Sequence, residues 1–530
     1  MKLKAMFLLT LIVLVALAAC APAPTPAPTA APPTAAVPPT QPPAPTAAPT
    51  VASSSSSVAS SSVASSSSSV ASSSSSASSS AASSAAPTAT KPAATNTPAP
   101  TPTPPVPQVT AAPGALKVQF WHVFSTTQGV AMQKLIDKFN AANPQYYIVG
   151  TYQGSYTPIS QKMTASITAN SLPDIVWGYP GDIANYYNAG VVVPFDSYIS
   201  DPKDGLTADQ LADINTSVYF SKYDGKTIAI SAAGSEQVMF YNADMLKAAG
   251  FTQPPATWAD FDKVCAAVSK PPDTYCYAFI PSASTVAEWF WSWGSDYASA
   301  DEKKAAFNNP NGVAMLQWLK NQADKKWSYQ PSGSFGDQTD FGNGKVAFTF
   351  SSTAGLPFYA TAVSGSKAPF NWNIAPVPAG PNGKQIVDVF QPSMAILKST
   401  PEKQRAAWLW VKFMLSKDAG TDWALATTYY PPSKSTLDSL LSMDAATAKA
   451  ANPGFATVLD QYKLGTKFAA SYGRVEPASP AWQGVRSIVE NMVTAVFTGK
   501  SGADFKATDP EGALKEAEQR VNDALSQYGK

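Results

Sequence analysis

One histidine, His122, serves the whole of a 530-residue chain. That scarcity excludes a His-rich zinc site, and any Ser–His–Asp arrangement would have to be built on His122. Charge of either sign is also in short supply. With 37 Lys and Arg against 36 Asp and Glu, a net charge of +1 gives no support to a nucleic-acid surface. Cysteine is nearly absent: Cys20 closes an N-terminal segment, and Cys265 and Cys276 flank a Pro-containing loop. In an exported protein the latter two are a candidate disulfide, which geometry must decide. Nothing in the pattern calls for a metal or a cofactor.

Met1–Ala19 has Lys2 and Lys4 followed by the short apolar run Phe7–Ala19, which reads as a signal peptide more than a membrane span. It ends in Leu17-Ala18-Ala19-Cys20. This sequence resembles the lipobox of bacterial lipoproteins, which implies cleavage before Cys20 and acylation of its thiol and new amine. Each buried methylene of such chains is worth about 0.8 kcal/mol. Residues 20–115 then form an anchored tether. Pro, Thr and Ala alternate around a Ser-rich middle, Ser53–Ser84, with almost no charged or aromatic residue. Such a segment cannot bury enough surface to offset its chain entropy. As a coil it would span roughly 50–60 Å, and more where Pro stiffens it.

The remainder, 116–530, is long enough for two lobes at about 100–200 residues each. Strand-like and helix-like stretches alternate. Val118–Trp121 reads as a strand; Met132, Leu135, Ile136 and Phe139 recur at helical spacing; Gln145–Tyr152 is a second strand. Thr157-Pro158 reads as an N-cap with Pro at the first helical position, opening a helix with Ile159, Met163 and Ile167 on one face. Asp174–Trp177 is a third strand. This β-α-β-α-β order predicts a parallel, doubly wound sheet with ligands outside its carboxyl ends, near Trp121–Phe124, Gly154–Tyr156 and Trp177–Pro180. Asp174 and Asp182 read as caps of helices or turns. Further on, Thr257 and Asp260 mark a capping box, Thr400-Pro401 and Asp509-Pro510 open later helices, and Glu288–Asp296 (EWFWSWGSD) is densely aromatic. Each of the 13 Trp is either a core residue or a platform for a sugar ring.

Several segments appear in a fixed order: FWHVF at Phe120–Phe124, YQGSY at Tyr152–Tyr156, LPDIVWGY at Leu172–Tyr179, DGKTIAI at Asp224–Ile230, FYNADMLKAAGF at Phe240–Phe251, GKVAF at Gly344–Phe348 and YYPPSKS at Tyr429–Ser435. Together they resemble the family-1, maltose-binding-like solute-binding proteins of ABC importers. The FWH, QGSY and YYPPSK elements, with Arg474–Gly499, are most similar to the glycerol-3-phosphate-binding branch. The resemblance implies a type II periplasmic-binding-protein-like fold of two α/β lobes joined by a hinge, with the ligand in the cleft. Lobe one would take 116–236 and 389–435, and lobe two 237–388 and 436–530. The crossings would lie near Gly234–Val238 and Val387–Pro392. Carried over residue by residue, the resemblance makes Tyr156, Ser235, Tyr430 and Arg486 ligand contacts. The branch's acidic residue after the third strand falls on Pro180 here, so Trp177, Trp289, Trp291 and Trp293 become candidate floors for a sugar ring. Trp121 and His122, at the first strand's end, join the candidate set.

The expected protein is thus a monomeric, lipid-anchored receptor on the outer face of the cell membrane. It would deliver a sugar, polyol or glycerol-phosphate-like solute to an ABC permease and would not be an enzyme. Two other readings share its features. A tethered glycoside hydrolase would need an acid and a base about 5–9 Å apart, drawn from Glu236, Glu288 and Asp296. A sensor would present the same solute to a signalling receptor. The anchor has a direct consequence: Cys20→Ala is expected to shift the protein from the membrane fraction to the soluble fraction, as read by fractionation and blotting.

Overall fold

A computed structural model describes residues 109–333, 335–502 and 505–528. The expected signal peptide, Cys20 and the expected tether up to residue 108 lie outside the described residues. The rest builds two seven-stranded sheets.

The first sheet begins with β1 (Leu116–His122), β2 (Tyr146–Tyr152) and β3 (Ile175–Gly178), with β1 between the other two and parallel to both. The intervening helix Thr126–Ala142 buries Met132, Leu135, Ile136 and Phe139. Asn140, on that helix, exchanges two hydrogen bonds with the backbone of Ile148, at 3.1 and 2.8 Å, and so covers part of the free edge of β2. β4 (Val192–Val193) and the hairpin β5 (Phe220–Tyr223) and β6 (Lys226–Ser231) follow. Asp224 and Gly225 both adopt positive φ in its two-residue turn, as a primed hairpin turn requires.

The second sheet holds β7 (Ser235–Asn242), β8 (Tyr275–Ala278), β9 (Ser328–Tyr329), β10 (Val346–Ser352), β11 (Trp372–Ala375), β12 (Val387–Phe390) and, near the C-terminus, β14 (Gly473–Val475). Between β12 and β14 the chain returns to the first sheet as β13 (Ser393–Leu397).

Here the parallel expectation needs correction. β13 lies between β3 and β6 and runs antiparallel to both. The reason is topological: β13 enters from the other lobe, at the end where β3 finishes, so it must run against β3. The strands also put the lobe crossings at Ala232–Gly234 and Gln391–Pro392, because Ser235, Glu236, Val389 and Phe390 already pair within the second sheet. A third connection follows the helix Lys417–Thr427, where Gly234 and Tyr430 form an isolated antiparallel bridge.

The helix Tyr156–Thr168 starts two residues earlier than expected. Ser155 is its N-cap, without a side-chain hydrogen bond, and Pro158 sits in the first turn, where its missing N–H is no loss. Asp174 and Asp182 are not the caps expected: Asp174 accepts the Gln119 N–H at 2.8 Å, and Asp182 lies inside the first turn of a helix capped by Tyr179. Other caps do form. Thr257, Thr400 and Asp509 each accept a backbone N–H three residues on.

Lobe two is packed around tryptophan. EWFWSWGSD is not extended: residues Ala283–Ser292 form a helix, and all ten are buried. Trp289 is fully buried, with its ring 5.4 Å from Trp258, 5.4 Å from Trp318 and 5.0 Å from Phe350. Cys265, on the helix Trp258–Val268, is disulfide-bonded to Cys276 on β8, with Cα atoms 4.7 Å apart. Trp289→Ala is expected to cost about 3–5 kcal/mol of stability in denaturant titration, as for other buried large-to-small changes, while leaving solute affinity in the folded fraction unchanged.

Candidate functional site

The carboxyl ends of β2 and β3 deliver Tyr156 and Tyr179, whose rings stack with centroids 4.2 Å apart and planes inclined by 29°. Tyr156 is brought there because it opens its helix, and Tyr179 because it is the N-cap of the helix Pro180–Asn188. Behind them stands an aromatic wall. Trp177 packs edge-on to Phe124 at 4.8 Å, Phe124 meets Trp423 at 4.9 Å, and Trp423 stacks on Tyr429 at 5.8 Å. The hydroxyl of Tyr429 faces that of Tyr156, and the Trp177 indole also lies beside the Tyr156 hydroxyl.

Lobe two contributes the helix Trp482–Thr498, from which Gln483, Arg486, Ser487 and Glu490 face Tyr156, Ser160, Tyr179 and Asp182 across a cavity of about 310 Å³. That lies at the lower end of about 300–1,000 Å³ for small-molecule sites. Arg486 pairs with Glu476 and donates to Ser284 Oγ at 2.7 Å, and its guanidinium carbon stands 5.7 Å from the Tyr179 ring centroid. Asp182 accepts from Ser160 at 2.9 Å; burial pushes its carboxyl up to about 6, against that hydrogen bond and the pull of Arg486. The lobes touch directly. Asn185 donates to the carbonyl of Pro480 at 2.7 Å, and a Cβ on Gly181 would sit 2.9 Å from the Ser479 carbonyl. This is a closed arrangement, in which any side chain at 181 would press the lobes apart.

Of the residues expected from sequence, Tyr156 and Arg486 line this cavity. Trp177 is fully buried behind it. Trp121 is partly buried against the cluster that contains Ile159 and Met163. His122 is a packing residue: its Nδ1 accepts the Phe124 N–H at 3.3 Å, and burial lowers its pKa to about 4, so it stays neutral. Ser235 is buried at the hinge, opposite Phe390. Trp289, Trp291 and Trp293 belong to the core of lobe two rather than to this cavity. Trp291 donates to Asp296 at 2.9 Å and carries Arg474 over its ring at 4.1 Å. Of the hydrolase candidates, Glu236 and Glu288 are fully buried and Asp296 is paired with Arg474; none of the three lines the cavity.

Tyr430 points the other way. Its hydroxyl donates to Glu236 Oε1 at 2.9 Å on the lobe-two side of the hinge. Tyr429 is its counterpart on the cleft side, packed with Phe124 and Trp423. Neighbours in an extended segment face opposite ways, so the YYPP doublet marked two tyrosines without saying which faces the cleft. Tyr179, Glu476, Gln483 and Glu490 lie in segments that carried the resemblance, Leu172–Tyr179 and Arg474–Gly499, but nothing there singled them out; Gln483 and Glu490 reach the cavity on the helix Trp482–Thr498, and Glu476 reaches Arg486 on the segment before it.

Burial pushes the Glu236 carboxyl up to about 8, although Tyr430 and Thr353 hydrogen-bond to it. Unfolded, it titrates near 4.5. The folded chain thus holds a proton that the unfolded chain has released, so stability rises as pH falls from 8. Burial raises Glu288 and Asp388 in the same direction. His122 opposes them only below 6.5, where its unfolded form gains a proton. Glu236→Gln is expected to flatten the rise between pH 8 and 6.5 by about 2 kcal/mol, read from denaturant midpoints; an unchanged slope would show that Glu236 is ionised in the folded chain.

Comparison with known proteins agrees with this architecture. Residues 134–457 match the family described as bacterial extracellular solute-binding protein. The sn-glycerol-3-phosphate-binding periplasmic protein UgpB of Escherichia coli K12 is 25% identical over 430 residues, covering 78% of this chain and 93% of its own. UgpB of Mycobacterium tuberculosis, solved with glycerophosphocholine, is 19% identical, with a TM-score of 0.63 over 78% of this chain and 99% of that one. An ABC substrate-binding protein of Listeria monocytogenes, solved with cycloalternan, is 20% identical, with a TM-score of 0.65 and the same coverage.

Proposed function

The chain belongs to the bacterial extracellular solute-binding proteins, and we propose that it is the receptor of an ABC importer, closing its two lobes on a sugar or sugar-like solute and presenting it to the permease. The observation that carries this reading is the cavity itself. It is walled by tyrosines and an aspartate from lobe one and by Arg486, Gln483 and Glu490 from lobe two, so a ligand held there bridges the lobes and favours the closed form. The similar proteins named for glycerol 3-phosphate, glycerophosphocholine and cycloalternan support a polyhydroxylated ligand.

The same reading extends to the N-terminus. The lipobox-like Leu17–Cys20 and the Pro/Thr/Ala/Ser-rich segment after it support a receptor tethered by lipid to the outer face of the membrane. Turnover of a bound solute is no part of this function.

A thermal-shift panel of neutral oligosaccharides, polyols and glycerol phosphates tests the proposal. A solute at 100-fold over its Kd stabilises by about 2.7 kcal/mol, a shift readily measured. Gly181→Leu is expected to shrink that shift, since the added side chain meets Ser479 and Trp482 only when the lobes close. Release of hydrolysed product from any panel sugar would sink the receptor reading.

A further inference from the structure

Arg486 is the only cationic side chain lining the cavity beside Tyr156 and Tyr179 among the described residues, and two carboxylates, Asp182 and Glu490, line it as well. Its guanidinium is already engaged. Glu476 takes one terminal nitrogen and Ser284 Oγ the other, and the Tyr179 ring lies close by. The Arg486 and Glu476 side chains are only 11% and 13% exposed, so water screens the pair weakly. The fully buried Asp388 carboxyl lies near both and adds no positive charge.

We infer that Glu476 is a specificity-determining residue: by occupying Arg486 it sets the cavity to accept an uncharged, polyhydroxylated solute and to refuse a phosphate or carboxylate group. The inference rests on the receptor reading above and names the ligand class within it. A phosphate seeking the planar fork of an arginine must displace Glu476 and leave that carboxylate unpaired in a poorly hydrated place. It would also face Asp182 and Glu490 across the cavity. Hydroxyl groups meet none of these costs. They can donate to Asp182 and Glu490, and the hydroxyls of Tyr156 and Tyr179 can serve them in either sense. The Glu476–Arg486 pair thus acts by repelling the wrong class as much as by holding the right one.

Titration calorimetry on the full chain tests this with two sets of probes: maltose, trehalose, sucrose and maltotriose, against sn-glycerol 3-phosphate and glucose 1-phosphate. At least one neutral sugar is expected to bind, with both phosphates at least about 100-fold weaker. In Glu476→Gln, which keeps the volume and removes the charge, glycerol 3-phosphate should tighten by about 10-fold or more, while the neutral sugar changes little. A melting curve confirms that the variant is folded. If it does not fold, the wild-type ratio of neutral to phosphorylated binding decides alone. Wild-type chain that prefers a phosphate overturns the inference and leaves the receptor reading standing. A folded Glu476→Gln without gain for phosphate overturns it in the same way. Failure of every probe, neutral or charged, to bind wild type overturns both.

Discussion

Gly234 and Tyr430 exchange backbone hydrogen bonds at 2.9 and 2.7 Å, and this pair ties two of the three connections between the lobes to each other. Much of the molecule follows from it. It places Ser235 at the start of β7 and so fixes where the second sheet begins. It also sets the facing of the tyrosine doublet, with Tyr429 toward the cleft wall and Tyr430 toward Glu236. A Cβ at position 234 would fall 2.4 Å from the Tyr219 hydroxyl, so glycine there leaves room for the Tyr219 ring beside the bridge. Gly465 has the same role one layer away, where a Cβ would meet Tyr430 and Glu236 at 2.5 and 2.6 Å. The hinge is therefore built by omission of side chains around a buried carboxyl.

The cleft inherits its chemistry from this geometry. Two sheets joined side by side direct strand ends at each other, and those ends hold irregular backbone with side chains to spare for a ligand. Lobe one offers ring faces and hydroxyls; lobe two offers a helix bearing Arg486. Because closure excludes water, the charges there interact strongly, and the balance of one arginine against several carboxylates counts for more than it would on the surface. The same burial that holds Asp182 and Glu236 partly or wholly protonated makes their carboxyls hydrogen-bonding groups of the interior, costly at high pH and tolerated because neighbouring hydroxyls satisfy them.

Much of the fold was legible in the chain. Periodicity located the helix with Met132 and Phe139. The capping residues Thr257, Thr400 and Asp509 marked where three helices begin. The cleft was legible at Tyr156, which follows a strand end, and at Arg486, which the resemblance carried over on a helix. The tryptophans of Glu288–Asp296 were candidate floors for a sugar ring because composition does not distinguish a core ring from a ligand platform; the helix Ala283–Ser292 buries Trp289 and Trp291 in lobe two.

What the sequence by itself determined was local: which segments are helix or strand, and that they alternate in an α/β manner. These depend on periodicity and caps within a few residues of one another. The direction of β13, the choice of Tyr429 over Tyr430, and the meeting of Glu476 with Arg486 beside Tyr179 were decided only in three dimensions. Each depends on contacts between segments distant in the chain, and no local pattern specifies which face of one lobe will meet the other.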